Sequence, residues 1–203
     1  MNLSSLLLVL IMTVLAGTLF LSAAAVFDSG FDAPSASPAK IEAVRFSGGD
    51  RYNDSVRFQD NVLILKHAGG APVPLDFVSV RIAGKGNAYS GIPGSGGLLI
   101  YGDLIVFYEN LSAAQKSRVF EQNNRKTLKD GVWSAGESLI LTGNDSLSGS
   151  VSSVAVSADG QNGLSNNYGF SSGQSAEIHI YHKNTAERQQ LILKTKILIF
   201  KNN

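Results

Sequence analysis

Three histidines, His67, His179 and His182, are the side chains of this sequence best suited to metal or proton chemistry, and no cysteine stands with them. In a strand an odd separation sends His179 and His182 to opposite faces, so the two cannot easily chelate one metal. Glu177 and His179 share a face and offer two ligands, short of the three or four that zinc takes, so a surface pair is expected there and no metal site. His67 precedes Ala68-Gly69-Gly70, whose glycines permit a tight reversal, and is expected to be a turn histidine bonded to backbone. Asp103, Glu109 and Glu137 are isolated carboxylates with no spacing that marks a general acid and base.

Glycine-rich stretches invite a phosphate-binding reading and fail it. Gly91-Ile-Pro-Gly-Ser-Gly-Gly97 lacks the GxxxxGK[ST] order and runs into a strand-like segment, not into a helix whose N-terminus could hold phosphate. Gly84-Lys85-Gly86 has no glycine five residues before it. No nucleophile elbow, paired-carboxylate signature or nucleotide fingerprint is present, which argues against an enzyme and gives no reason to expect a cofactor. A net charge of +1 offers no electrostatic case for nucleic acid. The N-x-[ST] sequons at Asn2, Asn53, Asn110 and Asn144 are more informative. Asn53, Asn110 and Asn144 are candidate N-glycosylation sites, while Asn2 opens an apolar run and is expected to be unmodified.

The elements that must carry these residues are strands. From Ile41 onward, short runs of β-propensity alternate with turn signals, and 21 glycines are spread through the chain. Strands are expected at Ala43–Phe46, Val56–Phe58, Val62–His67, Phe77–Ala83, Leu98–Tyr108, Ser138–Thr142, Val151–Val156, Ala176–His182 and Leu191–Phe200. Turns are expected at Ala68–Pro74, Gly84–Gly97 and Asp159–Asn167. Such spacing suggests a sandwich or open barrel. Ser112 and Gln115 form a capping box for a short helix through Phe120, and polar Asn123–Gly131 reads as an exposed loop.

Residues 1–27 contain no charged side chain. A helix over Leu3–Phe27 would be about 37 Å long, enough to cross a hydrocarbon layer. A cleaved secretory signal is disfavoured, because no Lys or Arg precedes the apolar run. Thr13 and Gly17, and Thr18 and Ser22, are spaced to let helices approach closely, with Leu6, Leu10 and Leu15 completing a packing face. Asp28–Lys40 holds Gly30, Pro34 and Pro38 and reads as a linker. The expectation is an α+β chain: a long apolar N-terminal helix (1–27), a linker (28–40) and a sandwich- or barrel-like β domain (41–203).

With its apolar start, its Pro/Ser linker, its β-rich domain and the segment Leu65-Lys66-His67-Ala68-Gly69-Gly70-Ala71-Pro72-Val73-Pro74-Leu75, the chain resembles an archaeal type IV pilin. That segment is similar to the His-x-Gly-Gly stretch with a following polar or proline turn found in these pilins. No acidic residue lies near the helix start, which fits archaeal pilins and archaellins better than bacterial pilins; no short basic leader ending in Gly stands ahead of the helix. The resemblance implies a subunit held first in the membrane, then extracted by an assembly ATPase and platform protein into a homopolymeric filament at the cell surface. Its implied role is adhesion; an archaellin of a motility filament, or a membrane-anchored β domain that binds a ligand, are the alternatives.

Overall fold

The computed structural model describes residues 37–49, 57–91, 96–114, 117–145, 153–164, 166–183 and 189–202. The apolar segment with Leu6, Leu10, Thr13, Leu15, Gly17, Thr18 and Ser22, most of the linker, and Asn53 lie outside the described residues.

Strand predominates: β1 (Lys40–Gly48), β2 (Val62–Gly69), β3 (Val73–Pro74), β4 (Val78–Ser90), β5 (Leu98–Tyr108), β6 (Val132–Trp133) and β7 (Ser138–Thr142) make the first part. The second comprises β8 (Val154–Ala158), β9 (Gln161–Leu164), β10 (Asn166–Phe170), β11 (Ser175–Lys183), β12 (Gln189–Leu198) and β13 (Phe200–Lys201). Between β5 and β6 stand two helices, α1 (Leu111–Ala114) and α2 (Arg118–Leu128). The α+β expectation is therefore corrected: the described chain is mostly β with two short helices. Among the described residues no helix is long and apolar enough to cross a membrane.

A four-stranded sheet runs β13-β1-β2-β7, and a seven-stranded sheet runs β12-β11-β4-β5-β8-β9 with β10 on β4. β4 is long enough to serve two neighbours on one edge, β11 along Val78–Ala83 and β10 along Gly86–Tyr89. Strand alternation sends every second residue inward. Thus Ile178, Ile82, Val106 and Val156 form one buried row across four strands, and Ile180, Val80, Tyr108 and Val154 form the next. Leu63, Leu65, Leu139 and Leu141 of the smaller sheet join them in one continuous core. Phe46 of β1 meets Phe170 of β10 edge to face at 5.3 Å between ring centres.

Several boundaries differ from expectation for identifiable reasons. Gly84 and Gly86 lie inside β4 and not in a turn, because β10 passes there: a Cβ on Gly86 would sit 2.0 Å from the Gly169 carbonyl oxygen. Of the strand expected at Val56–Phe58, Val56 lies outside the described residues, Arg57 is extended and Phe58 opens a 3-10 turn, Phe58–Asp60. Asn110, not Ser112, caps α1, its Oδ1 accepting from Ala113 N at 3.1 Å. Helix α2 takes in the polar stretch expected to be a loop, with Ser117 as its cap. Phe120, Asn124 and Thr127 are its buried residues, and Thr127 Oγ1 donates to the Ser138 carbonyl of β7 at 3.1 Å. The free edge of β7 is thereby covered by a helix, one of the ways an unpaired strand is kept from further pairing.

Candidate functional site

The His-x-Gly-Gly segment is where the described domain begins. β2 carries His67 to its end, and β1 starts opposite, with Lys40 in register with Gly69. His67 is fully buried; its Nε2 donates to the Ala71 carbonyl at 3.0 Å, and its ring stands edge-on to Trp133 at 6.0 Å. Since a carbonyl only accepts, the proton is on Nε2, and Nδ1 is shut away from solvent with no partner. The expected backbone-bonding role is present, in a buried strand position and not in an open turn.

The turn that follows holds the first residues of the domain. Ala71 N donates to the Ser37 carbonyl at 2.8 Å. Gly70 has φ +87°, and a Cβ there would lie 2.1 Å from the Pro38 carbonyl oxygen, so only glycine lets the two backbones approach. On the other side, His67 N donates to the Glu137 carbonyl at 2.9 Å, and Gly136 N donates back to the His67 carbonyl at 2.8 Å. Trp133 Nε1 also donates to the Glu137 carbonyl, at 3.3 Å. Gly70 and Ala71 thus clamp Ser37–Pro38, while His67, with Trp133 against its ring, holds their turn through the Ala71 carbonyl.

The other chemistry-bearing residues do not converge. Glu177 Oε1 accepts from His179 Nε2 at 2.9 Å and from Lys194 Nζ at 3.3 Å on the outer face of the larger sheet. Lys194 first, and His179 after it, hold the Glu177 carboxyl below its ordinary range. His182 stands edge-on to Phe77. Asp103 pairs with Lys85 at 2.6 Å, and Glu109 lies six residues on, about 20 Å away along an extended chain. Glu137 Oε2 accepts from Ser134 N at 3.0 Å. Asp103 and Glu109 are therefore apart, Glu137 is engaged by a backbone amide, and no group of three metal-ligating side chains occurs among the described residues.

A buried polar cluster escaped the sequence reading. Asp145 accepts from Thr142 N and Thr142 Oγ1, each at 2.7 Å, and from Tyr108 Oη at 2.9 Å. The Tyr168 hydroxyl lies 2.6 Å from that of Tyr108. Burial outweighs these three bonds and pushes the Asp145 carboxyl up to about 6. The same burial, with the Asp145 charge beside them, raises both tyrosines well above their ordinary value. The cluster joins β5, β10 and the end of β7. Asp145 also follows Asn144, so the half-buried candidate glycosylation site adjoins a fixed turn.

No family model, no curated protein and no solved structure matches this chain.

Proposed function

We propose that this protein is a structural subunit of a cell-surface filament of the archaeal type IV pilin kind. It polymerises through its uncharged N-terminal segment and serves surface attachment, with its β domain outermost. Before assembly the apolar segment is held in the membrane; an assembly ATPase and a platform protein are the partners that the resemblance implies. Asn53, Asn110 and Asn144 are the proposed glycan carriers.

The observation that carries the reading is the clamp at Gly70 and Ala71. A subunit that assembles through one end takes load at the first residues of its head, which must themselves be held within the head. Here the His-x-Gly-Gly segment and Ala71 fasten the first residues of the head by one backbone hydrogen bond, to the Ser37 carbonyl, and by a contact at Gly70 that admits no side chain. Identical subunits repeating a non-closing contact give a helical polymer.

The test is electron cryo-microscopy of material sheared from cells producing the full chain. Filaments whose outer density fits residues 37–202 are expected. The chain found solely as separate copies in the membrane fraction, with no filament, overturns the proposal. Loss of attachment on deletion, with swimming intact, separates a pilus from a motility filament.

A further inference from the structure

A cleft of about 470 Å³ opens beside the outer face of the larger sheet. Its walls come from four places: the 3-10 turn Leu75–Phe77, the ends of β4 and β5, the start of α1, and the paired residues Lys183 and Gln189 of β11 and β12. Two aromatic rings line it. Phe107 is half-buried, whereas Phe77 is 39% exposed and is steadied by the His182 ring standing perpendicular to it at 6.3 Å.

Around these rings the polar groups are of mixed kind. Asp76 and Glu109 offer carboxylate acceptors, and Lys183 and Gln189 offer donors. Ser153, also on the wall, has a hydroxyl that is shut off from solvent and lacks a hydrogen-bond partner among the described residues. Binding clefts of this size commonly combine apolar surface with a few placed polar groups.

The composition discriminates between ligand classes. A wholly apolar ligand would leave two carboxylates and an ammonium desolvated without partners, which is unfavourable. An anion would face two carboxylates against one lysine. A sugar ring has an apolar C–H face to lie on Phe77 or Phe107, and hydroxyls that donate to Asp76 and Glu109 while accepting from Lys183 and Gln189. We infer that this cleft binds an oligosaccharide, stacked on Phe77 and Phe107 and hydrogen-bonded through Asp76 and Glu109. The inference holds whether or not the chain polymerises.

The experiment is ligand-observed saturation-transfer NMR on the full chain, made in a host without N-glycosylation, with maltotriose, mannotriose, chitotriose and galactotriose as probes. At least one trisaccharide is expected to bind. Phe77→Ala is expected to weaken it roughly tenfold, the equivalent of one lost stacking contact. Asp76→Asn, at an exposed residue, weakens it without touching the core and guards against a folding artefact, with circular dichroism as the check. Leu98→Ser, outside the cleft, leaves binding unchanged. Binding of none of the four at millimolar concentration overturns the inference. So does saccharide binding that both Phe77→Ala and Asp76→Asn leave intact, or binding of tetramethylammonium with no saccharide, which would make the cleft a cation site.

Discussion

The side-chain amide of Asn124 takes both backbone groups of Ile140: Nδ2 donates to the Ile140 carbonyl at 2.8 Å, and Oδ1 accepts from Ile140 N at 2.7 Å. Asn124 thus stands where a neighbouring strand would stand, and Nδ2 also donates to the Phe120 carbonyl within α2 at 2.9 Å. Asn124→Ala leaves the buried edge of β7 unpaired. A loss of about 3 kcal/mol in unfolding free energy is expected from chemical denaturation, because two backbone groups are stranded at once. A loss indistinguishable from that of an exposed-residue substitution would show that the edge is satisfied some other way.

Asp145 makes stability depend on pH in a defined direction. Its folded value of about 6 lies above its ordinary 3.8, so between these the folded protein binds the extra proton. Its contribution is fully present below about pH 4 and is lost as pH rises through about 6. The difference of about 2 units corresponds to roughly 3 kcal/mol as an upper figure. Denaturation curves at pH 4.5 and pH 7 should show this component in the wild type and its absence in Asp145→Asn.

At the clamp, Gly70→Ala forces a side chain onto the Pro38 carbonyl at a backbone angle that favours glycine. A destabilisation of about 1–3 kcal/mol is expected from the backbone strain alone. Limited proteolysis should show earlier cleavage near residue 37 in this variant than in Gly69→Ala, which is also strained, at φ +156°, but whose Cβ meets nothing within 4 Å.

Glu177→Gln breaks an ion pair that is open to water on both sides. Exposed pairs contribute little once screening and side-chain ordering are counted. The melting temperature is expected to stay unchanged, and a clear drop would mean that the outer face of the larger sheet is covered in the working molecule.

Legibility in the sequence followed the chemistry of the buried residues. Leu98–Tyr108 and Ser138–Thr142 stand at their expected bounds because apolar side chains point inward at every second position. Helix α2 was hidden because two of its three buried residues are polar: Phe120, Asn124 and Thr127 have helical spacing but do not read as an apolar stripe. Gly84 and Gly86 look like turn residues until β10 is laid across them, and nothing local in the chain announces that crossing. The surface pair of Glu177 and His179 follows from strand period alone. Asp145, Tyr108 and Tyr168 meet only through tertiary packing, and the cleft is walled by segments distant in sequence, so neither carried a signature.

The last strand lies parallel to the first, with Phe200 in register with Ser47 and Lys201 with Gly48. Ile199, just before it, is wholly buried beside Gly48. A ribosome making this chain therefore delivers the partner of β1 about 150 residues after β1 itself, from Gly48 to Phe200. At roughly 5–20 residues per second, β1 waits several seconds or more with that edge unpaired, so the smaller sheet is completed only after residue 201 has left the exit tunnel. Through that interval the newborn chain presents an open strand edge, which makes the seconds of its synthesis the time when wrong pairing has its best chance.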